Sequence, residues 1–137
     1  MRIMIVEDEA LVALLIEDIL LANGHEVVGI ADDALSALAA VDGDQPNLAL
    51  VDVCLAGNAN GVDVAKAFAD RGIPSLFVTG NCPAEDMPIA IGCLHKPFTE
   101  ESLSAAVACA ERLLEGHAAR SLPANMHLYS SFAANGR

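Results

Sequence analysis

Four apolar runs of this 137-residue chain end on residues suited to phosphate and metal chemistry. Ile3 to Val6 stops at Glu7-Asp8, Leu48 to Val51 at Asp52, Leu76 to Val78 at Thr79, and Ile89 to Leu94 leads to Lys96. Side by side at one sheet edge, they would gather three carboxylates, a hydroxyl and an ammonium. Carboxylates that close repel one another by roughly 4 kcal/mol per pair at about 4 Å and an effective dielectric of about 20. Unless a cation lies among them, at least one pKa must rise. All-oxygen ligands with no converging His or Cys suit a hard cation, and few protein ligands with room for water and phosphate favour Mg²⁺ over Ca²⁺, with Mn²⁺ the alternative. Asp8 and Asp52 would bind it directly and Glu7 through water. A carboxylate can also act as a nucleophile toward phosphorus. Asp52, central in the group, is the natural acceptor, with Lys96 and Thr79 placed to neutralise the phosphoryl oxygens.

Such a cluster needs parallel strands, and short apolar runs alternating with helical patterns predict them. Arg2 to Val6 is the first strand, and a helix over Ala10 to Ala22 follows, closing at Asn23-Gly24. His25 to Ile30 is the second strand, Asp32 or Asp33 caps a helix over Ala34 to Val41, and Leu48 to Val51 is the third strand. The loop Leu55 to Gly61 precedes a helix over Val62 to Ala69, and Pro74 opens the fourth strand through Val78. Thr99 caps the last helix, with Glu100 and Glu101 in its first turn and an apolar stripe at Leu103, Ala106, Val107, Ala110 and Leu114. Pro83 and Pro88 leave room only for a turn of fourth helix around Ala84 to Met87. In the order 2-1-3-4-5, strands one, three, four and five are consecutive, about 4.8 Å apart, and the functional crevice lies beyond their carboxyl ends.

Nineteen acidic against seven basic residues give a formal charge of −12, which opposes binding to nucleic acid or anionic lipid. The absence of a long apolar span or a signal-like start predicts a soluble, cytoplasmic chain. Its length suits one domain, leaving no second fold for output. With 54% hydrophobic residues it can build a core without cross-links. Cys54, Cys82, Cys93 and Cys109 lack metal-ligand spacing and are expected to be reduced thiols, a redox role for those near the site being the lesser reading. The tail from His117 to Arg137, carrying Leu122, Met126, Leu128, Tyr129 and Phe132, is expected either to fray or to dock on a partner or second copy. Ala10 to Ile16 has no polar residue, so the first helix is expected to pack under two neighbours, a dimer surface being the alternative.

The sequence resembles the receiver domain of bacterial two-component response regulators over about residues 1–116, with 117–137 left as the tail. The resemblance rests on Val6-Glu7-Asp8-Glu9, on Leu50-Val51-Asp52 with Gly61 downstream, on Val78-Thr79-Gly80, and on Lys96-Pro97-Phe98. Phe77-Val78-Thr79-Gly80 is similar to the Phe-Ala-Thr-Gly signature of a subgroup of stand-alone receivers. The family implies an α/β, flavodoxin-like (CheY-like), doubly wound five-stranded parallel sheet. It also implies that Asp52 takes phosphate from a sensor histidine kinase or a histidine phosphotransfer protein. By the same resemblance Glu7, Asp8 and Asp52 hold Mg²⁺ together with the backbone carbonyl of Cys54, Thr79 and Lys96 bind the phosphoryl oxygens, and a cis peptide precedes Pro97. Output would be protein contact rather than catalysis of a separate reaction.

This chain departs from that pattern at three places. Cys93 stands where the family usually carries an aromatic that swings inward with the threonine, three residues before Lys96. The interval from Thr79 to Lys96 is short, which reduces or remodels the fourth helix. The residues two past Asp52 and two past Thr79, which tune phosphate lifetime, are Cys54 and Asn81. Two other functions compete. A Mg²⁺-dependent phosphatase or hydrolase of haloacid-dehalogenase type wants a second Asp two residues after the nucleophile, where Cys54 stands, and a phosphorylation-independent interaction module would leave the site unused.

Overall fold

Strands buried on both faces must read as nearly unbroken apolar runs. In the computed structural model, which describes residues 1–57 and 59–130, four such runs form the centre of one sheet: β1 (Arg2–Val6), β3 (Leu48–Val51), β4 (Ser75–Thr79) and β5 (Ala90–His95). β2 (Glu26–Ala31) lies at the edge beside β1 and is correspondingly half exposed. All these neighbours pair in parallel. Helices α1 (Ala10–Ala22), α2 (Ala34–Ala40), α3 (Gly61–Asp70) and α4 (Glu100–Leu114) cover the two faces.

Alternate residues of a strand point to opposite faces, and the core divides accordingly. Ile3, Ile5, Leu48, Leu50, Leu76 and Val78 pack with Ile16 and Leu20 of α1 and Leu103 and Val107 of α4. Met4, Val6, Ala49, Val51 and Phe77 pack on the other side with Ala37 of α2 and Val64 and Phe68 of α3. Side chains start the helices: Asp33 accepts from the Ser36 N–H, Asn60 from the Val62 N–H, and Thr99 exchanges hydrogen bonds with Ser102.

The sheet has six strands rather than five, in the order β2-β1-β3-β4-β5-β6. The sixth, β6 (Met126–Leu128), comes from the expected tail and pairs antiparallel with β5. From Met126 to Ser130, therefore, this segment docks on its own domain rather than fraying. Met126 and Tyr129 are buried, the Tyr129 hydroxyl donates to the Pro83 carbonyl at 3.0 Å, and the Ser130 N–H donates to Asp86. Glycine at position 92 permits this approach, since a Cβ there would come within 2.3 Å of the His127 carbonyl oxygen. Phe132 and the rest of 131–137 lie outside the described residues.

The expected short fourth helix is absent. Ten residues separate β4 from β5; Pro83 lacks an N–H and Pro88 disfavours helical geometry at Met87, so the chain returns in turns alone. That loop runs close to the sheet, and Cys82 within it is disulfide-bonded to Cys93 of β5, with Cα atoms 6.0 Å apart. The expectation of reduced thiols is corrected for this pair; Cys54 and Cys109 are free. The expected double packing of α1 is also overturned. Ala13, Ile16, Ile19 and Leu20 are buried, while Leu11 is 82% exposed and Leu14 and Leu15 are each 50% exposed. No described helix is long and apolar enough to cross a membrane.

Candidate functional site

Strand pairing places the acidic groups before any side-chain contact is considered. β1 and β3 run in register, Val6 opposite Val51, so both chains leave the sheet at the same level. The Glu7 N–H donates to the Ala31 carbonyl and the Asp52 N–H to the Val6 carbonyl, each at 2.9 Å, which extends the ladder one residue beyond the strands. Glu7 and Asp52 are buried, 3% and 5% exposed, whereas Asp8 faces solvent. One carboxylate oxygen from each of the three lies within 4.8 Å of the others.

β5 delivers the cation. The Lys96 N–H donates to the Thr79 carbonyl at 3.0 Å, and the Lys96–Pro97 peptide is cis. The Lys96 ammonium donates to Glu7 Oε1 at 2.5 Å and to Asp52 Oδ2 at 2.9 Å. The other Asp52 oxygen accepts from the Cys54 N–H at 3.0 Å. Thr79 is fully buried, its hydroxyl oxygen accepting from the Asn81 N–H at 3.2 Å. Asn81 also donates through its side chain to Cys54 Sγ at 3.1 Å, so the residues two past Asp52 and two past Thr79 touch each other.

Electrostatics separate the two buried carboxylates. Burial pushes Glu7 up to about 7, against hydrogen bonds from Lys96 and the Glu9 N–H that work to lower it, while the Asp52 charge adds to the rise. Burial would also raise Asp52, but the nearby Thr79 hydroxyl, the Lys96 ammonium and the Cys54 N–H outweigh it and hold Asp52 below the usual carboxylate range. Lys96, which burial would lower, is raised by Glu7 and Asp52. In the metal-free chain these shifts have opposite consequences. The stability contributed by a protonated Glu7 is full at acidic pH and fades as pH rises through about 7. That from Asp52 is present at neutral pH and is lost on acidification through its lowered pKa. Near neutrality Asp52 is thus ionised, with a hydrogen-bond donor at each oxygen.

The donor set fits a hard divalent cation. Three oxygens converge, Asp8 gives solvent access, and one ammonium does not balance three carboxylates. Of the residues singled out in the sequence, Glu7, Asp8, Asp52 and Lys96 are brought together, and Thr79 and Cys54 border them through the contacts above. Sequence reasoning missed the direct Lys96–Glu7 contact, the Asn81–Cys54 contact and the role of Gly61. That glycine opens α3 with its N–H donating to the Val53 carbonyl at 2.8 Å, and a Cβ on it would lie 1.9 Å from the Asp52 carbonyl oxygen. The histidines stay outside the cluster; the rings of His95 and His127 meet at the β5–β6 edge, tilted by 50° with centroids 5.6 Å apart.

The family description "Response regulator receiver domain" matches residues 3–108. Among curated proteins, the chain is 32% identical to the DNA-binding response regulator MtrA of Mycolicibacterium paratuberculosis over 77% of its own length and 49% of that protein's. It is 33% identical to the phyllosphere-induced regulator PhyR of Methylorubrum extorquens, over 77% and 42% of the two lengths. It spans about half or less of these relatives. Among solved structures, the N-terminal domain of a response regulator/sensory box/GGDEF three-domain protein from Carboxydothermus hydrogenoformans superposes with a TM-score of 0.74 at 34% identity, covering 84% of this chain and 97% of that one.

Proposed function

Because the chain belongs to the response regulator receiver family, we propose that it is a phosphorylation switch in which Asp52 accepts a phosphoryl group from the phosphohistidine of a sensor kinase or phosphotransfer protein. The observation that carries this reading is the Asp52 carboxylate itself, ionised and held between the Lys96 ammonium and the Glu7–Asp8 pair. One Asp52 oxygen attacks phosphorus as the phosphorus–nitrogen bond breaks, and the histidine leaves with the electron pair. Lys96 and the Thr79 hydroxyl stabilise the equatorial oxygens, and the Cys54 N–H orients the carboxylate. Glu7, Asp8, Asp52 and the Cys54 carbonyl would hold Mg²⁺, which when bound supplies further neutralising charge. Transfer from a phosphohistidine donor is expected to label the wild type and not Asp52→Asn, and to stop when Mg²⁺ is chelated. Labelling that persists in Asp52→Asn would refute the assignment.

Metal binding should report the raised Glu7. A carboxyl neutral below about 7 must release its proton to serve a cation. Mg²⁺ affinity is therefore expected to fall by roughly tenfold per pH unit on the acidic side, where one proton is displaced per ion. Calorimetric titrations at about pH 6 and about pH 8 measure this; equal affinities would contradict the Glu7 assignment.

Leu15 of α1, half exposed, lies beside the site in a groove lined with Glu9, Val12, Lys96, Pro97 and Phe98. We assign this face to the helical surface of the phosphodonor protein. Leu15→Asp is expected to slow transfer from a protein donor by at least about tenfold, leaving phosphorylation by acetyl phosphate unchanged. Equal slowing with both donors would place the effect in the site instead. Output is protein contact, in keeping with the strongly acidic charge, from a chain acting in the cytoplasm.

A further inference from the structure

The Cys82–Cys93 bond lies where such a switch would move. Cys82 follows Thr79 by three residues in the loop that takes the place of the fourth helix, and its sulfur is 4.0 Å from the Thr79 carbonyl oxygen. Cys93 is fully buried on β5, in register with Phe77 of β4 and His127 of β6. Thr79 in turn pairs with His95. Thr79, Gly80, Asn81 and Cys82 are thus closed through the sulfurs, Cys93, Leu94 and His95 into one ring of contacts. Thr79 contributes the hydroxyl of the site, and Lys96, next along the chain, contributes the ammonium. Any shift of Thr79 toward a phosphorylated Asp52 must carry Gly80, Asn81 and Cys82 with it, and the disulfide resists that.

A purely stabilising role explains the bond poorly. Two extensive apolar clusters already hold the sheet to its helices, and a chain of this size does not need a cross-link to fold. A receiver that takes phosphate from a histidine kinase works among reducing thiol pools, where disulfides are as a rule transient, catalytic or sensing.

We propose that Cys82 and Cys93 are a thiol–disulfide switch, exchanging with small thiols, whose oxidised form clamps the segment after Thr79 and whose reduced form releases it to follow a phosphorylated Asp52. Its coupling to phosphate rests on the assignment of Asp52 above. Reduction starts at Cys82, the partly exposed residue of the pair, Cys93 being fully buried. A thiolate of an external dithiol attacks it, the disulfide breaks, a mixed disulfide forms on Cys82, and Cys93 leaves as a thiolate that takes a proton. The second thiol of the reductant closes on the mixed disulfide and frees Cys82 as a thiol. Two electrons and two protons pass from the dithiol, which becomes a cyclic disulfide. For oxidation the acceptor is a low-molecular-weight disulfide such as glutathione disulfide, which leaves as two thiols.

With the bond open, the hydrogen bonds of Tyr129 with Pro83 and of Ser130 with Asp86, and the packing of Met87 and Ile89 on the core, still hold this loop in place. The test compares the whole chain after glutathione disulfide and after dithiothreitol, with alkylation to count free thiols and amide hydrogen exchange followed across residues 80–89. Two thiols are expected to react in unfolded oxidised protein, Cys54 and Cys109, and all four in reduced protein. Reduction should speed exchange across 80–89 by about tenfold, and Cys82→Ser should show the faster rate under both conditions. After Mg²⁺ and acetyl phosphate, at equal phosphate occupancy by mass, only the reduced protein should gain further exchange there. Equal exchange in oxidised and reduced wild type, four reactive thiols after glutathione disulfide, or an identical response to phosphate in both states overturns the switch. Failure to take up phosphate in either state overturns the Asp52 assignment instead, and the resting comparison then decides the redox proposal alone.

Discussion

Lys96→Ala is expected to slow phosphoryl uptake by about 10²–10³-fold, the loss typical of removing one charge-stabilising donor from a reaction centre. It should also destabilise the metal-free protein by about 3 kcal/mol, the lower end of the cost when a buried ion pair loses one partner. The lower end applies because Glu7, already raised to about 7, can stay protonated once the Lys96 hydrogen bond is gone. The side chain is 18% exposed and its partners 2% and 7%, so solvent screens the loss little. The pH dependence has a definite sign. At acidic pH Glu7 is neutral in wild type and variant alike, and only the Lys96–Asp52 attraction is lost. Above about pH 7 the wild type gains a second attraction that the variant lacks, so the stability difference should widen. Urea denaturation at two pH values, with acetyl phosphate uptake followed alongside, measures both effects. A difference that narrows with rising pH would contradict the arrangement.

Gly61→Ala is expected to cost about 3 kcal/mol, at the upper end for overpacking. A Cβ at this position meets the Asp52 carbonyl oxygen at 1.9 Å, the Asp52 carbonyl carbon at 2.7 Å and Val53 Cα at 2.8 Å. All three are backbone atoms, so no rotamer change relieves the clash. Either α3 shifts away from the sheet, breaking the Gly61–Val53 hydrogen bond, or the end of β3 moves and takes Asp52 with it. A displacement of about 1 Å at a reacting group can cost on the order of 10²-fold in rate, so uptake should fall as well as stability. Gly80→Ala is the control, having nothing within 4 Å of its Cβ position; its stability should stay within about 0.5 kcal/mol of wild type. Thermal or urea denaturation of the two variants compares them, and equal stabilities would refute the backbone contact.

The features legible in the sequence are those that the physics of parallel sheets imposes. Strands covered on both faces are written as apolar runs, and the first polar residue after each run marks where the chain leaves the sheet. Glu7, Asp52 and Thr79 were legible for that reason and Lys96 as the second residue past its run, as was the start of α4 at Thr99, whose side chain partners Ser102. β6 was not, because three residues carry no period, and its pairing depends on a glycine at position 92 that looks like any other strand residue. Pro83 and Pro88 signalled a cramped interval between β4 and β5, but not that the helix vanishes. The Cys82–Cys93 bond arises from that loop's path over β5, which a separation of 11 residues does not encode. The exposed leucines of α1 eluded the pattern because an all-apolar start gives no polar side to orient the helix. Within the site, proximity was legible and the division of labour was not. The direct Lys96 contact to Glu7 and the resulting difference between two buried carboxylates depend on ångström-scale geometry.

The chemical identity of the modified residue is the most direct test. Protein treated with Mg²⁺ and acetyl phosphate is reduced with borohydride, which converts an aspartyl phosphate to homoserine, and its peptides are then mapped. Homoserine is expected at position 52, in proportion to the phosphate bound and absent when Mg²⁺ is chelated. Homoserine at position 8 instead, or phosphate retained without conversion at 52, would contradict the Asp52 assignment.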